Sequence, residues 1–109
     1  MTETRRVLAQ SNPAATTLTD VYTVAAGTQV VISSITVCNL GSTDAAFRIS
    51  VAVAGAADTA RQYLYHDLDL LVHDTFVATL GVTLGAADVV RVYASTADLA
   101  FNIFGAEII

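Results

Sequence analysis

The chain has 109 residues, the size of one domain, which leaves no room within it for a second catalytic or regulatory domain. Hydrophobic residues make up 54% and charged residues 14%, with a mean hydropathy of +0.60, a balance that excludes disorder and leaves more apolar surface than one small domain can hide. There is no lysine, and five arginines against ten carboxylates give a net charge of −5, so the basic stripe and stacking platforms of a nucleic-acid ligand are missing.

From the N-terminus, a short strand is expected at Val7–Gln10, followed by a small polar stretch around Pro13, the one proline. Residues 1–16 therefore read as an N-terminal arm or an added edge strand, and residues 17–109 as a β-sandwich domain. Leu18–Val24 is the next strand. Thr28–Cys38 is a β-branched stretch whose Val30, Val31 and Ile32 require burial on both faces or a bulge that swaps them. Phe47–Val53 alternates fully, with Phe47, Ile49, Val51 and Val53 on one side and Arg48, Ser50 and Ala52 on the other. Further strands fall at Arg61–Tyr65, Thr75–Leu80, Asp88–Ala94 and Leu99–Phe104.

Between the strands lie clusters of Gly, Asp, Asn and Ser, such as Asn39–Asp44 and Gly85–Asp88, which supply positive φ or side chains that bond their own backbone. The alanine-rich run Val53–Ala60 contains Gly55 and Asp58 and lacks helical periodicity, so one helical turn is the most it supports. Thirty-four residues are Val, Thr or Ile, which favours strands on propensity too. The expected fold is all-β: a single-domain antiparallel β-sandwich, jelly-roll-like, of about seven to nine strands with no substantial helix. The apolar C-terminus, Ile108 and Ile109, is expected to be paired or docked.

Polar functional groups are densest in Tyr63, Tyr65, His66, Asp67, Asp69, His73 and Asp74. Alternate residues of a strand project to one face, so Asp67, Asp69, His73 and Asp74 could gather around a divalent ion, but neither calcium-loop nor zinc spacing is present. Tyr63 and Tyr65 suit a sugar platform or, better, a subunit boundary. No catalytic elbow, phosphate loop or metalloprotease helix occurs, and no catalytic residue, metal or cofactor is expected. Cys38 stands alone, which excludes an internal disulfide, and reads as a small buried apolar residue. No run reaches the about 18 apolar residues of a membrane helix, and Met1–Arg6 leads into polar sequence, so neither a signal peptide nor an anchor is expected. Arg48 and Arg91, on the polar sides of their strands, could pair with carboxylates of a neighbouring chain.

The run Val7–Val24, then Ile35–Asn39, then Gly81–Ser95 resembles a family of small β-sandwich virion proteins of tailed bacteriophages. The resemblance covers most of the chain and rests on turns and strand starts. It implies a virion structural protein repeated in symmetric copies on a capsid or a tail. Together with the acidic, apolar, disulfide-free composition it leads to a capsid decoration (cement) protein. Such a protein would bind the exterior of the head and bridge the major capsid protein, associating with copies of itself as a trimer. The alternative is a tail-tip, fibre or baseplate module that contacts tail proteins or a host surface glycan. Expected contacts are Arg5, Arg6, Val7 and Leu8 in the N-terminal segment, Tyr63, Tyr65, Asp67 and Asp69, and Ile108 with Ile109 at the C-terminus.

Overall fold

The period-two alternation is realised as eight strands in a computed structural model that describes residues 2–109. They are β1 (Glu3–Ser11), β2 (Thr19–Thr23), β3 (Gln29–Asn39), β4 (Ala45–Ala52), β5 (Tyr63–Leu70), β6 (Thr75–Leu84), β7 (Val89–Ala94) and β8 (Leu99–Ile108). Two four-stranded antiparallel sheets stack face to face, ordered β1-β8-β3-β6 and β2-β7-β4-β5. The pairs β1·β8, β2·β7, β3·β6 and β4·β5 are those of one long hairpin, and rolling it up adds β3·β8 and β4·β7. This is the jelly-roll order, the all-β architecture expected from the turn spacing.

Inward positions from both sheets fill one core. Phe47, Ile49, Val90 and Val92 of one sheet face Ile32, Ile35, Val37, Phe101 and Ile103 of the other, all at most 1% exposed. Phe47 sits at its centre, with ring centroids 5.2 Å from Phe76 and 6.2 Å from Phe101. Burying a side chain of this size contributes about 1.5–3 kcal/mol, so a core built from such residues needs no disulfide.

The apolar triplet in β3 resolves as a bulge. The register with both neighbours shifts between Ile32 and Ser34, so Val30 and Ile32 face the core before it and Ile35 and Val37 after it. Parity is thereby reset, as two consecutive inward runs of opposite phase require. The same reset turns Cys38 to the outer face, where it is half-buried beside Ala100 and Thr75, not in the core as its residue type suggested.

Four strands outrun their sequence signals. β1, expected from Val7, begins at Glu3. β8 continues through Gly105 to Ile108, because a side chain at 105 would strike the Val31 carbonyl oxygen and only glycine lets β8 lie this close to β3. β6 likewise passes through Gly81 to Leu84. β5 begins at Tyr63 and runs to Leu70, since Ala60–Gln62 forms a 3-10 turn and Leu68–Leu70 pairs with Ala45–Phe47. Helical structure among the described residues is limited to that turn and Val53–Gly55, which lie at the end and the start of the segment where one turn was expected.

β1 is an edge strand hydrogen-bonded along β8, not a detached arm. The chain end is paired too: Thr2 and Ile109 exchange two backbone hydrogen bonds of 2.8 Å.

Candidate interaction surfaces

The two sheets turn very different faces to the outside. On β2-β7-β4-β5 the outward positions carry charge. Arg48 donates two hydrogen bonds to Asp67 (2.6 and 3.2 Å) and lies 4.3 Å above the Tyr93 ring. Arg91, its side chain 12% exposed, donates to Asp20 at 2.8 Å and to the carbonyls of Ala56 and Gly55, pinning the segment 53–62 across this face. Both arginines thus find carboxylates in their own chain. Ser50 of β4 and Gln62 of the pinned segment are buried, and the Gln62 amide donates to the Ala57 carbonyl.

The tyrosine and acid segment does not converge on a point. Asp67 takes a left-handed conformation (φ 53°), and the pairing of β5 with β4 is irregular around it. Tyr65, opposite Ile49, packs inward with its ring 5.1 Å from Phe76 and 6.4 Å from Phe47. Tyr63, opposite Ser50, points outward, donates to Asp58 at 3.0 Å and meets His66 edge-on at 4.9 Å. The two rings therefore share no stacking face. Asp69 is exposed, and Arg48 holds the Asp67 carboxyl below the usual range by its hydrogen bond. Among the described residues no three His, Cys, Asp or Glu side chains are placed to hold a metal ion.

The N- and C-terminal residues do meet, because β1 lies along β8. Arg6 donates to Glu107 at 2.7 Å, and the other Glu107 oxygen accepts from the Tyr22 hydroxyl of β2, also at 2.7 Å. Nothing in the local sequence signalled Tyr22 or Glu107, since their encounter spans 85 residues and depends on the closure of the sandwich. Arg5 pairs with Glu3 on the same strand at 3.0 Å. Leu8, expected at a contact surface, occupies the β1 bulge and is 8% exposed within the core, which withdraws it from any partner.

The outer face of β1-β8-β3-β6 is the opposite in character. Outward positions on β8, β3 and β6 include Ala100, Asn102, Phe104, Ala106 and Ile108 of β8, Val31, Ser34, Thr36 and Cys38 of β3, and Thr75, Val77, Thr79 and Thr83 of β6. None is charged. Val77 is 60% exposed, and Val7 is exposed beside Phe104 at the β1 edge. A shallow depression of about 560 Å³ on this face is floored by Val31, Phe104, Ala106 and Ile108 and bordered by Glu3 and Arg5.

A second unpartnered surface lies at one end of the sandwich, where the β1–β2, β3–β4, β5–β6 and β7–β8 connections gather. Asn12 donates to the carbonyls of Ala97 and Leu99, the Val72 amide to Asp44, and the Leu40 amide to the Asp98 carbonyl. At this end Leu40 and Leu71 stay exposed to solvent. No family model matches the chain, and no curated protein matches it either.

Proposed function

We propose that the chain is a non-enzymatic structural protein that acts through its outer surfaces, specifically a capsid decoration protein of a tailed bacteriophage. It binds the exterior of the head and bridges subunits of the shell. The observation that carries this reading is the uncharged outer face of β8, β3 and β6, with charge on that side confined to the β1 edge, set against the ion-paired face of the other sheet. A free-standing domain in water needs no such asymmetry, whereas a subunit that is covered on one side does. The phage setting rests on the resemblance of the Val7–Val24, Ile35–Asn39 and Gly81–Ser95 segments.

Mechanically the role requires no chemistry. Ligand-like binding to the assembled lattice stabilises it by mass action, because each copy buries surface only where shell subunits meet. A jelly roll suits this role, because its closed core keeps the shape rigid while both outer faces stay available. The direct test is the number of copies per purified virion, measured by quantitative mass spectrometry against the major capsid protein. Hundreds of copies are expected. A few tens or fewer would shift the protein to the tail, and its absence from virions would overturn the reading.

A further inference from the structure

Deepening that assembly reading, and resting on it, we infer that the surface formed by β1 is a contact between two copies of this chain, whose β1 strands pair antiparallel about a two-fold axis. Edge strands invite such pairing unless something blunts them. The other edges offer less: β2 has five residues and a register shift, β5 is broken at Asp67 and again at Leu64, and β6 carries no charge along the unbroken Thr75–Thr79 run that ends at the β3 bulge, whereas the one shift in β1 lies beyond Val7. β1 alone offers an unbroken run that also carries charge, Glu3 to Val7, paired in register with Ile108 to Phe104.

Symmetry and charge together select the register. A two-fold axis that makes one continuous sheet keeps outward residues opposite outward residues, so successive allowed registers differ by two in the sum of the paired numbers. One of them sets Glu3 against Glu3 of the partner, and another sets Arg5 against Arg5. The register between them sets each Glu3 opposite the partner's Arg5, with Thr4 on the axis, and both charge pairs are then complementary. Within one chain the Glu3–Arg5 pair is almost free in solvent, with side chains 48% and 85% exposed, so it stabilises the monomer little and is available for exchange. Arg6 stays with Glu107 and does not compete. The pairing would join the two sheets into eight continuous strands, with the uncharged outer faces of the two copies on either side of a charge-paired β1 seam.

The test is the mass of the full-length protein in solution, by sedimentation velocity from micromolar to hundreds of micromolar. The wild type is expected to be a dimer at the upper end. Glu3→Arg and Arg5→Glu each place like charges opposite one another twice per dimer and should weaken association by about tenfold. The exchanged variant, Glu3→Arg with Arg5→Glu, should recover to within about threefold of the wild type, since complementarity returns. Both positions are exposed, and circular dichroism melts of all three variants should match the wild type. A monomer throughout, a trimer, or a dimer indifferent to both single changes would overturn β1 pairing. The virion copy number tests the assembly reading separately, so hundreds of copies of a protein that is monomeric in solution would sink the dimer alone.

Discussion

The Tyr22 hydroxyl donates a 2.7 Å hydrogen bond to the Glu107 carboxylate, which also accepts from Arg6, so one carboxylate ties β1, β2 and β8 together where the two sheets meet. The Arg6 bond, then the Tyr22 bond, holds the Glu107 carboxyl below its ordinary value of 4.5, while burial and the Glu107 bond push Tyr22 up to about 12.

These two groups set stability at opposite ends of the pH scale. Folded Glu107 binds its proton more weakly than the unfolded chain does, so its contribution is complete above about pH 4.5 and drains as the pH falls below that value. Folded Tyr22 binds its proton more tightly, so its contribution is intact below pH 10 and is lost as the pH rises from 10 towards 12. In urea titrations Tyr22→Phe should lower stability at pH 7 by about 1 kcal/mol and shrink the loss between pH 10 and 12. An alkaline absorbance titration in which all four tyrosines ionise near pH 10 would contradict this assignment.

Gly105→Ala is expected to cost about 1–3 kcal/mol, because the new methyl group meets the Val31 carbonyl oxygen, the Ile32 Cα and the Leu8 side chain. Gly81→Ala, where nothing lies within 4 Å and φ is not positive, should be neutral or slightly stabilising. Equal urea midpoints for the two variants would show that β8 does not approach β3 as described.

Val77→Lys places a charge on the uncharged outer face at a position 60% exposed to solvent. Stability should stay within about 0.5 kcal/mol of the wild type. On the proposed decoration role, attachment to capsids, followed by co-sedimentation with particles lacking the protein, should fall at least about tenfold from the cost of desolvating the ammonium group. Retained attachment would place the capsid contact on another face.

Much of this was legible in the residues. Each of the eight strands leaves an alternation or a β-branched run, and each turn a Gly, Asp, Asn or Ser, because both are local consequences of backbone sterics. Strand ends were less visible. Gly105 and Gly81 resemble turn residues until the neighbouring strand shows why a glycine is needed, and the Asp67–Leu70 stretch resembles a solvated loop until β4 pairs with Leu68–Leu70.

The residues expected at contacts divide in the same way. Arg5, Val7 and Ile108 do lie on a surface, but Leu8 and Tyr65 turn inward, because the β1 bulge and the irregular β5 register set their direction and neither leaves a mark in the local pattern.

What the residues determine by themselves is the class: an apolar, lysine-free, β-branched chain with closely spaced turns has to form stacked antiparallel sheets, since hydrophobic burial with period two allows little else. Only the tertiary structure decided which outward face keeps its charges, which arginine meets which carboxylate, and how Tyr22 comes to Glu107. Those relationships join positions up to 101 residues apart, and they exist only once the long hairpin has rolled up and set the register of every strand.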